Sequence, residues 1–142
     1  MGIVIDSSIL IAAERRRLDI ARHVAGREDQ EFYLSVVSAS ELLHGIWRAT
    51  TPDVRAKRTA FVEDVLQKFP ILPIDLGTAR LHAQVWADLE KAGQSLAAHD
   101  LWIAASCLAH RHILATADVR HFRRVPGLLL EQWAVESAPA AG

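Results

Sequence analysis

The chain has 142 residues, of which 51% are hydrophobic and 23% are charged, and its formal net charge is −1. This length and composition are typical of a single globular domain. A net charge so close to zero gives no general attraction for nucleic acid, so any polyanion would have to be bound by local basic patches.

Apolar runs alternate with amphipathic stretches along the chain. The predicted strands are residues 3–5, 32–37, 71–74, 113–115 and 128–130. Pro73 favours a sheet edge or a strand end for the third of them. Strands that alternate with helices predict an α/β fold, with a parallel sheet covered on both faces, over residues 1–136. The Ala/Pro/Gly-rich residues 137–142 predict a disordered tail.

Several helix starts are predicted from capping residues. Ser38 and Glu41 fit a capping box before an apolar stretch. Pro52 suits the first position of the next helix, and Asp75 caps a long helix over residues 76–92. Trp86 lies on that helix, and we expect it in the core.

The single cysteine, Cys107, excludes an intramolecular disulfide and a zinc site made of cysteines. No apolar run reaches the roughly 18 residues that a membrane span needs. The N-terminus lacks the charged and then apolar pattern of a signal peptide. We therefore predict a cytoplasmic protein that does not enter a membrane.

Four carboxylates lie where the predicted sheet meets its helices. Asp6 ends the first strand and Asp118 follows the fourth, whereas Glu41 and Asp100 lie in the first turns of predicted helices. This edge of an open α/β sheet is where ligands bind. Converging carboxylates repel one another unless a cation neutralises them, and oxygen ligands select Mg²⁺ or Mn²⁺ over zinc or copper. The placement predicts a metal site formed by these four residues.

Each carboxylate also has an explanation that needs no function. Asp6 could be a helix N-cap, and Glu41 could belong to the capping box. Asp100 suits the positive end of a helix, and Asp118 suits a turn. Only their joint placement at the sheet edge favours the metal site.

Two hydroxyl residues and three arginines lie close to these carboxylates in the sequence. Ser8 and Thr116 are each two residues from a proposed ligand, where a hydroxyl can orient a carboxylate or a metal-bound water; a helix cap and a strand-end turn are the alternatives. Arg15, Arg16 and Arg17 are candidate contacts to a nucleic-acid backbone, although charge runs also form solvated faces.

The residues alone leave three functions open. A metal site of this kind can activate water for attack on a phosphodiester. Asp6 could instead be the nucleophile of a phosphatase or phosphotransferase. Enzymes of the haloacid-dehalogenase type usually have a second Asp two residues later, where this chain has Ser8. A non-catalytic RNA- or protein-binding module, with the carboxylates as caps, is the third.

Four segments of the chain resemble PIN-domain nucleases, and within them the VapC-type toxins of bacterial toxin–antitoxin pairs. The segments are Ile3-Val4-Ile5-Asp6-Ser7-Ser8, Ser38-Ala39-Ser40-Glu41-Leu42, His99-Asp100-Leu101-Trp102-Ile103-Ala104-Ala105 and Thr116-Ala117-Asp118-Val119-Arg120-His121-Phe122. Their order and spacing match the family from residue 3 to about residue 130.

The resemblance implies a three-layer α/β/α sandwich and an endoribonuclease that depends on Mg²⁺ or Mn²⁺. The four carboxylates would form its acidic cluster, with Asp6 and Asp100 as direct ligands and with Ser8 and Thr116 at the neighbouring polar positions. The fourth acidic position is often Asn in relatives and is Asp118 here. The resemblance also implies a homodimer and a VapB-type antitoxin as protein partner. Operator DNA would be bound only through the antitoxin.

Overall fold

The computed structural model describes residues 1–136, and its five strands form one parallel sheet. The strands are β1 (Ile3–Ile5), β2 (Phe32–Ser35), β3 (Ile71–Leu72), β4 (Ile113–Thr116) and β5 (Leu130–Gln132). Their order is β3-β2-β1-β4-β5, so β1 is central and β3, which ends before Pro73, lies at an edge. The predicted last strand is wrong by two residues, since β5 begins at the residue where the prediction ended.

Helices cover both faces of this sheet. They are α1 (Ser7–Glu14), α2 (Ile20–Val24), α3 (Val36–Arg48), α4 (Pro52–Lys68), α5 (Leu76–Lys91), α6 (Ala98–His110) and a short 3₁₀ helix, Phe122–Arg124. Successive residues of β1 point to opposite faces. Ile3 and Ile5 pack in the core that contains α1, α3 and α4, whereas Val4 packs in the core with α5 and α6. The three-layer α/β/α arrangement is therefore confirmed.

Helix α3 begins earlier than the sequence predicted. The N-cap is Ser35, whose hydroxyl oxygen accepts a hydrogen bond from the Val37 N–H at 3.1 Å. Ser38 lies inside the helix, and its buried hydroxyl has no hydrogen-bond partner among the described residues. The predicted capping box is thus wrong, because β2 passes directly into α3. Glu41 lies in the second turn and has no capping role.

Two other predicted helix starts are confirmed. Thr51 caps α4 by accepting from the Val54 N–H at 3.2 Å, and Pro52 is the first residue of that helix. Asp75 caps α5 by accepting from the backbone and hydroxyl of Thr78.

The prediction that Trp86 lies in the core is wrong, because its side chain is 55% exposed. Val85 and Leu89 form the buried stripe of α5, and Trp86 lies one position beyond it, about 100° around the helix.

Among the described residues, no helix is both long enough and apolar enough to cross a bilayer. The predicted tail, residues 137–142, lies outside the described residues.

Candidate active site

The carboxyl ends of β1 and β4 lie side by side at the centre of the sheet, where the strand order changes direction. The helices that follow β1 pack on one face, and those that precede β4 pack on the other. Such a switch point opens a crevice in which α/β proteins bind ligands. Asp6 follows β1 and Thr116 ends β4, so both lie at this crevice.

Asp6 is held by two hydroxyl groups on one of its oxygens. The carboxylate is only 5% exposed, and its Oδ2 accepts from Ser8 Oγ at 2.6 Å and from Thr116 Oγ1 at 3.0 Å. Ser8 Oγ in turn accepts from the Ala117 N–H at 3.2 Å, which orients that hydroxyl. Asp6 occupies the N-cap position of α1 but makes no capping bond with its side chain. Its Oδ1 accepts no hydrogen bond from residues 1–136.

The negative charge of Asp6 acts on both Glu41 and Asp100. Burial raises the pKa of Glu41, and the nearby Asp6 charge raises it further. The pKa of Asp100 is raised by the same two causes in the same order. Ser7 Oγ donates to Glu41 Oε1 at 3.3 Å, and His99 Nδ1 lies 3.8 Å from Glu41 Oε2. These neighbours offset only part of the repulsion among the three carboxylates, and a bound cation would relieve the rest.

Asp118 reaches the same crevice but already has a positively charged partner. Its carboxylate accepts from the backbone, Nε and Nη2 of Arg120 at 3.0, 3.1 and 3.1 Å. These hydrogen bonds lower the pKa of Asp118 to about 2. His121 Nε2 lies 3.7 Å from Asp118 Oδ2.

Five of the six residues predicted for the site line one cleft of about 280 Å³, which we call the carboxylate cleft. They are Asp6, Ser8, Asp100, Thr116 and Asp118, and His121 also lines it. The sixth, Glu41, lines an adjoining cleft of about 230 Å³. Ile11 lines both clefts and forms the boundary between them.

The three consecutive arginines diverge after α1 ends. Arg15 lines the adjoining cleft. Arg16 adopts a left-handed conformation with φ 58°, and the Arg17 carbonyl accepts from the Glu136 N–H at 2.7 Å. Arg48, which the sequence reasoning missed, lines the adjoining cleft with Arg15. Its position seven residues after Glu41, two turns along α3, could have indicated this.

The donor set of the carboxylate cleft fits a hard divalent cation. Its ligating groups are carboxylate and hydroxyl oxygens, which suit Mg²⁺ and Mn²⁺. Within residues 1–136, no three His, Cys, Asp or Glu side chains are grouped as a ready metal site. The four-carboxylate ligand set therefore stays a prediction.

Comparison with known proteins places the chain in a family. A sequence profile of the PIN domain matches residues 3–128. Ribonuclease VapC1 from Rickettsia felis is 35% identical over 130 residues, which cover 90% of this chain and 93% of the relative. The structure of VapBC-5 from Mycobacterium tuberculosis, a member of the VapBC family of toxin–antitoxin systems, aligns with TM-score 0.75 and 31% identity over 95% of this chain and 100% of that chain.

A second solved structure shares the fold at lower sequence identity. VapBC2 from Rickettsia felis, bound to a DNA fragment from its promoter, aligns with TM-score 0.85 and 20% identity over 94% of this chain and 99% of that chain. The profile match and the similarity to Ribonuclease VapC1 both extend over most of the chain. The chain therefore belongs to the PIN domain family and, within it, resembles the VapC-type members.

Proposed function

We propose that this chain is the endoribonuclease toxin of a toxin–antitoxin pair, with Mg²⁺ or Mn²⁺ as cofactor. The observation that carries the proposal is the buried Asp6, which Ser8 and Thr116 hold by one oxygen while the other has no hydrogen-bond partner within residues 1–136. Glu41 and Asp100 lie within the field of the same carboxylate. Relatives named Ribonuclease VapC support RNA as the substrate.

In this proposal, Asp6 and Asp100 bind the metal directly, and Glu41 and Asp118 complete the acidic cluster. A bound Mg²⁺ would make water more acidic and would neutralise the charge of the scissile phosphate. Ser8 and Thr116 keep Asp6 in one orientation by donating to its Oδ2.

Glu41 is our candidate for the residue that accepts the proton of the attacking water. In this proposal Glu41 is not a direct metal ligand, and its carboxylate lies close to Asp6, so it is placed to take a proton beside the metal. Asp118 already forms an ion pair with Arg120. In this proposal it lies at the edge of the acidic cluster and orients water there.

The proposal includes a VapB-type antitoxin as protein partner. The solved VapBC complexes with the same fold support this partner, and the complex bound to promoter DNA supports an indirect route to operator DNA. The homodimer rests on the family resemblance, and light scattering of the purified protein would test it.

The test is cleavage of total cellular RNA by purified, antitoxin-free protein with Mg²⁺, with Mn²⁺ and with EDTA. We expect discrete fragments that require metal, and none from Asp6→Asn. The matched control is Asp88→Asn, an exposed carboxylate on α5 that should cleave like the wild type. Intact RNA under every metal condition, from folded wild-type protein, would contradict the proposal. Turnover of a generic aryl phosphate would instead support the phosphatase alternative.

A further inference from the structure

The adjoining cleft, between α1, α3 and α4, contains a group of arginines that the proposed chemistry does not use. We call it the arginine cleft. Its charged lining consists of three arginines and two glutamates, Arg15, Arg48, Arg58, Glu14 and Glu41, and its apolar lining includes Leu42 and Val62. It adjoins the carboxylate cleft, because one isoleucine of α1 lines both.

One of these arginines, Arg58, already has partners in the folded protein. Arg58 Nη1 donates to the Gly45 carbonyl at 2.8 Å, and its Nε lies 3.5 Å from Glu14 Oε1. The guanidinium of Arg58 therefore ties α4 to α3 and to α1.

The other two arginines are exposed and have no polar partner within residues 1–136. The side chains of Arg15 and Arg48 make no hydrogen bond or ion pair with residues 1–136. Each guanidinium therefore keeps its five donors in a planar fork, the geometry that matches a phosphate group. Arg15 follows the end of α1 and Arg48 ends α3, so two different elements bring these charges to one cleft.

We propose that the arginine cleft binds a backbone phosphate of single-stranded RNA next to the phosphate that is cleaved, and that Arg15 and Arg48 are its positioning residues. This inference rests on the proposed function. The carboxylate cleft repels a polyanion, and the net charge of −1 gives no general attraction. One cleft that would hold a cation and a neighbouring cleft with two arginines that are unpaired within residues 1–136 fit a polymer that presents one phosphate to each.

The test measures RNA binding separately from cleavage. A fluorescently labelled single-stranded RNA 12-mer is titrated with protein in EDTA, and anisotropy is followed at several salt concentrations. The variants are Arg15→Ala/Arg48→Ala and the matched control Arg80→Ala, an exposed arginine on α5 in the opposite helical layer. Arg15→Lys/Arg48→Lys keeps the two positive charges without the planar guanidinium, and the thermal unfolding of each variant shows whether its fold is retained.

We expect the double alanine variant to bind RNA at least about tenfold more weakly than the wild type. The slope of log affinity against log salt should fall by about 0.7, because the double variant loses the contact to one phosphate. The lysine variant should recover most of the salt dependence, and Arg80→Ala should change neither quantity.

Wild-type affinity and slope in the double alanine variant would overturn the proposal, as would an equal loss in Arg80→Ala. If the wild type still cleaves RNA with metal in that case, only the arginine cleft is wrong, and an acidic peptide becomes the better candidate for its occupant. If the wild type neither cleaves nor binds RNA, the proposed function itself fails and this inference fails with it.

Discussion

Glu131 on β5 and the two carboxylates nearest Asp6 in charge, Glu41 and Asp100, belong to the same fold but have opposite surroundings. The two oxygens of Glu131 accept from Arg27 at 2.6 and 3.1 Å, and Trp133 Nε1 donates to it at 2.9 Å. The hydrogen bond from Arg27 is the main cause of a lowered pKa for Glu131. The pKa values of Glu41 and Asp100 are raised instead, by burial and by the Asp6 charge.

This difference separates carboxylates that stabilise the fold from carboxylates that cost stability. A paired carboxylate favours the folded state while it is ionised. Unpaired carboxylates that are partly buried beside one another destabilise it, and such arrangements concentrate at functional sites. Substitutions in the two regions should therefore have opposite effects on stability and activity.

The largest expected effect comes from removing charge in the carboxylate cleft. Asp6→Asn and Asp100→Asn should each lower RNA cleavage by about 10³-fold or more, because each removes a proposed ligand of the cation that stabilises the transition state. Their unfolding temperatures should equal or exceed that of the wild type, because each removes one repelling charge. Single-turnover cleavage and thermal unfolding without metal measure the two effects.

A loss of cleavage together with a clear loss of stability would break the comparison, because it would make these residues structural. The matched control is Asp88→Asn, which removes an exposed charge from α5 and should change neither measurement. Full activity of Asp6→Asn would exclude Asp6 from the reaction.

A smaller effect is expected from the hydroxyl that orients Asp6. Thr116→Val should lower cleavage by about 10- to 100-fold, because Asp6 Oδ2 then loses one of the two hydroxyl donors that residues 1–136 supply to it. Thr116→Ser keeps a hydroxyl and should retain most of the activity. Initial rates at saturating RNA distinguish the variants, and equal rates for Val and Ser would remove Thr116 from any positioning role.

The elements that carry Asp6 and Thr116 could be predicted because their signals are local. Short apolar, β-branched runs indicate buried parallel strands, and a polar residue at the carboxyl end of such a strand is visible in the sequence. The parallel register then places these two residues side by side. The hydrogen bond from Thr116 to Asp6 requires β1 and β4 to be neighbours in the sheet. The alternation of strands and helices along the chain does not determine which strands are neighbours, so this contact could not be predicted.

The start of α3, and which arginines of the arginine cleft are unpaired among the described residues, could not be predicted for a different reason. Ser35 and Ser38 are both acceptable caps, and the pairing of β2 in the sheet favours the first. Which arginines are free also depends on tertiary contacts. Arg58 is held by Glu14 on α1 and by a carbonyl of α3, whereas Arg48 is not paired with any described residue.

Metal binding gives a thermal test of the same comparison. Mn²⁺ at about 100 times its Kd should stabilise the wild type by about 2.7 kcal/mol, because the cation binds the folded carboxylate cleft. Scanning fluorimetry with and without Mn²⁺ measures this shift, and Asp6→Asn should lose it. Glu131→Gln lies outside the cleft and should keep it. Absence of a shift in the wild type at millimolar Mn²⁺ would favour the non-catalytic binding module.

The smallest expected effect comes from replacing Glu131. It should lower the stability of the fold, whereas removing Asp6 or Asp100 should not. Glu131→Gln should destabilise the fold by about 1 kcal/mol, since both partners of the ion pair are 31% exposed and solvent weakens it. RNA cleavage should be unchanged. Chemical denaturation at pH 7 and a cleavage assay measure the two effects.

The pH dependence of the Glu131 variant tests the cause of that destabilisation. Because the folded pKa lies below the ordinary value of 4.5, the ion pair contributes its full stability above pH 4.5 and loses it as the pH falls through the folded pKa. The stability difference between the wild type and Glu131→Gln should therefore shrink on acidification below pH 4.5. A difference that is the same at every pH would mean that shape and hydrogen bonding, rather than charge, distinguish Glu131 from the carboxylates of the cleft.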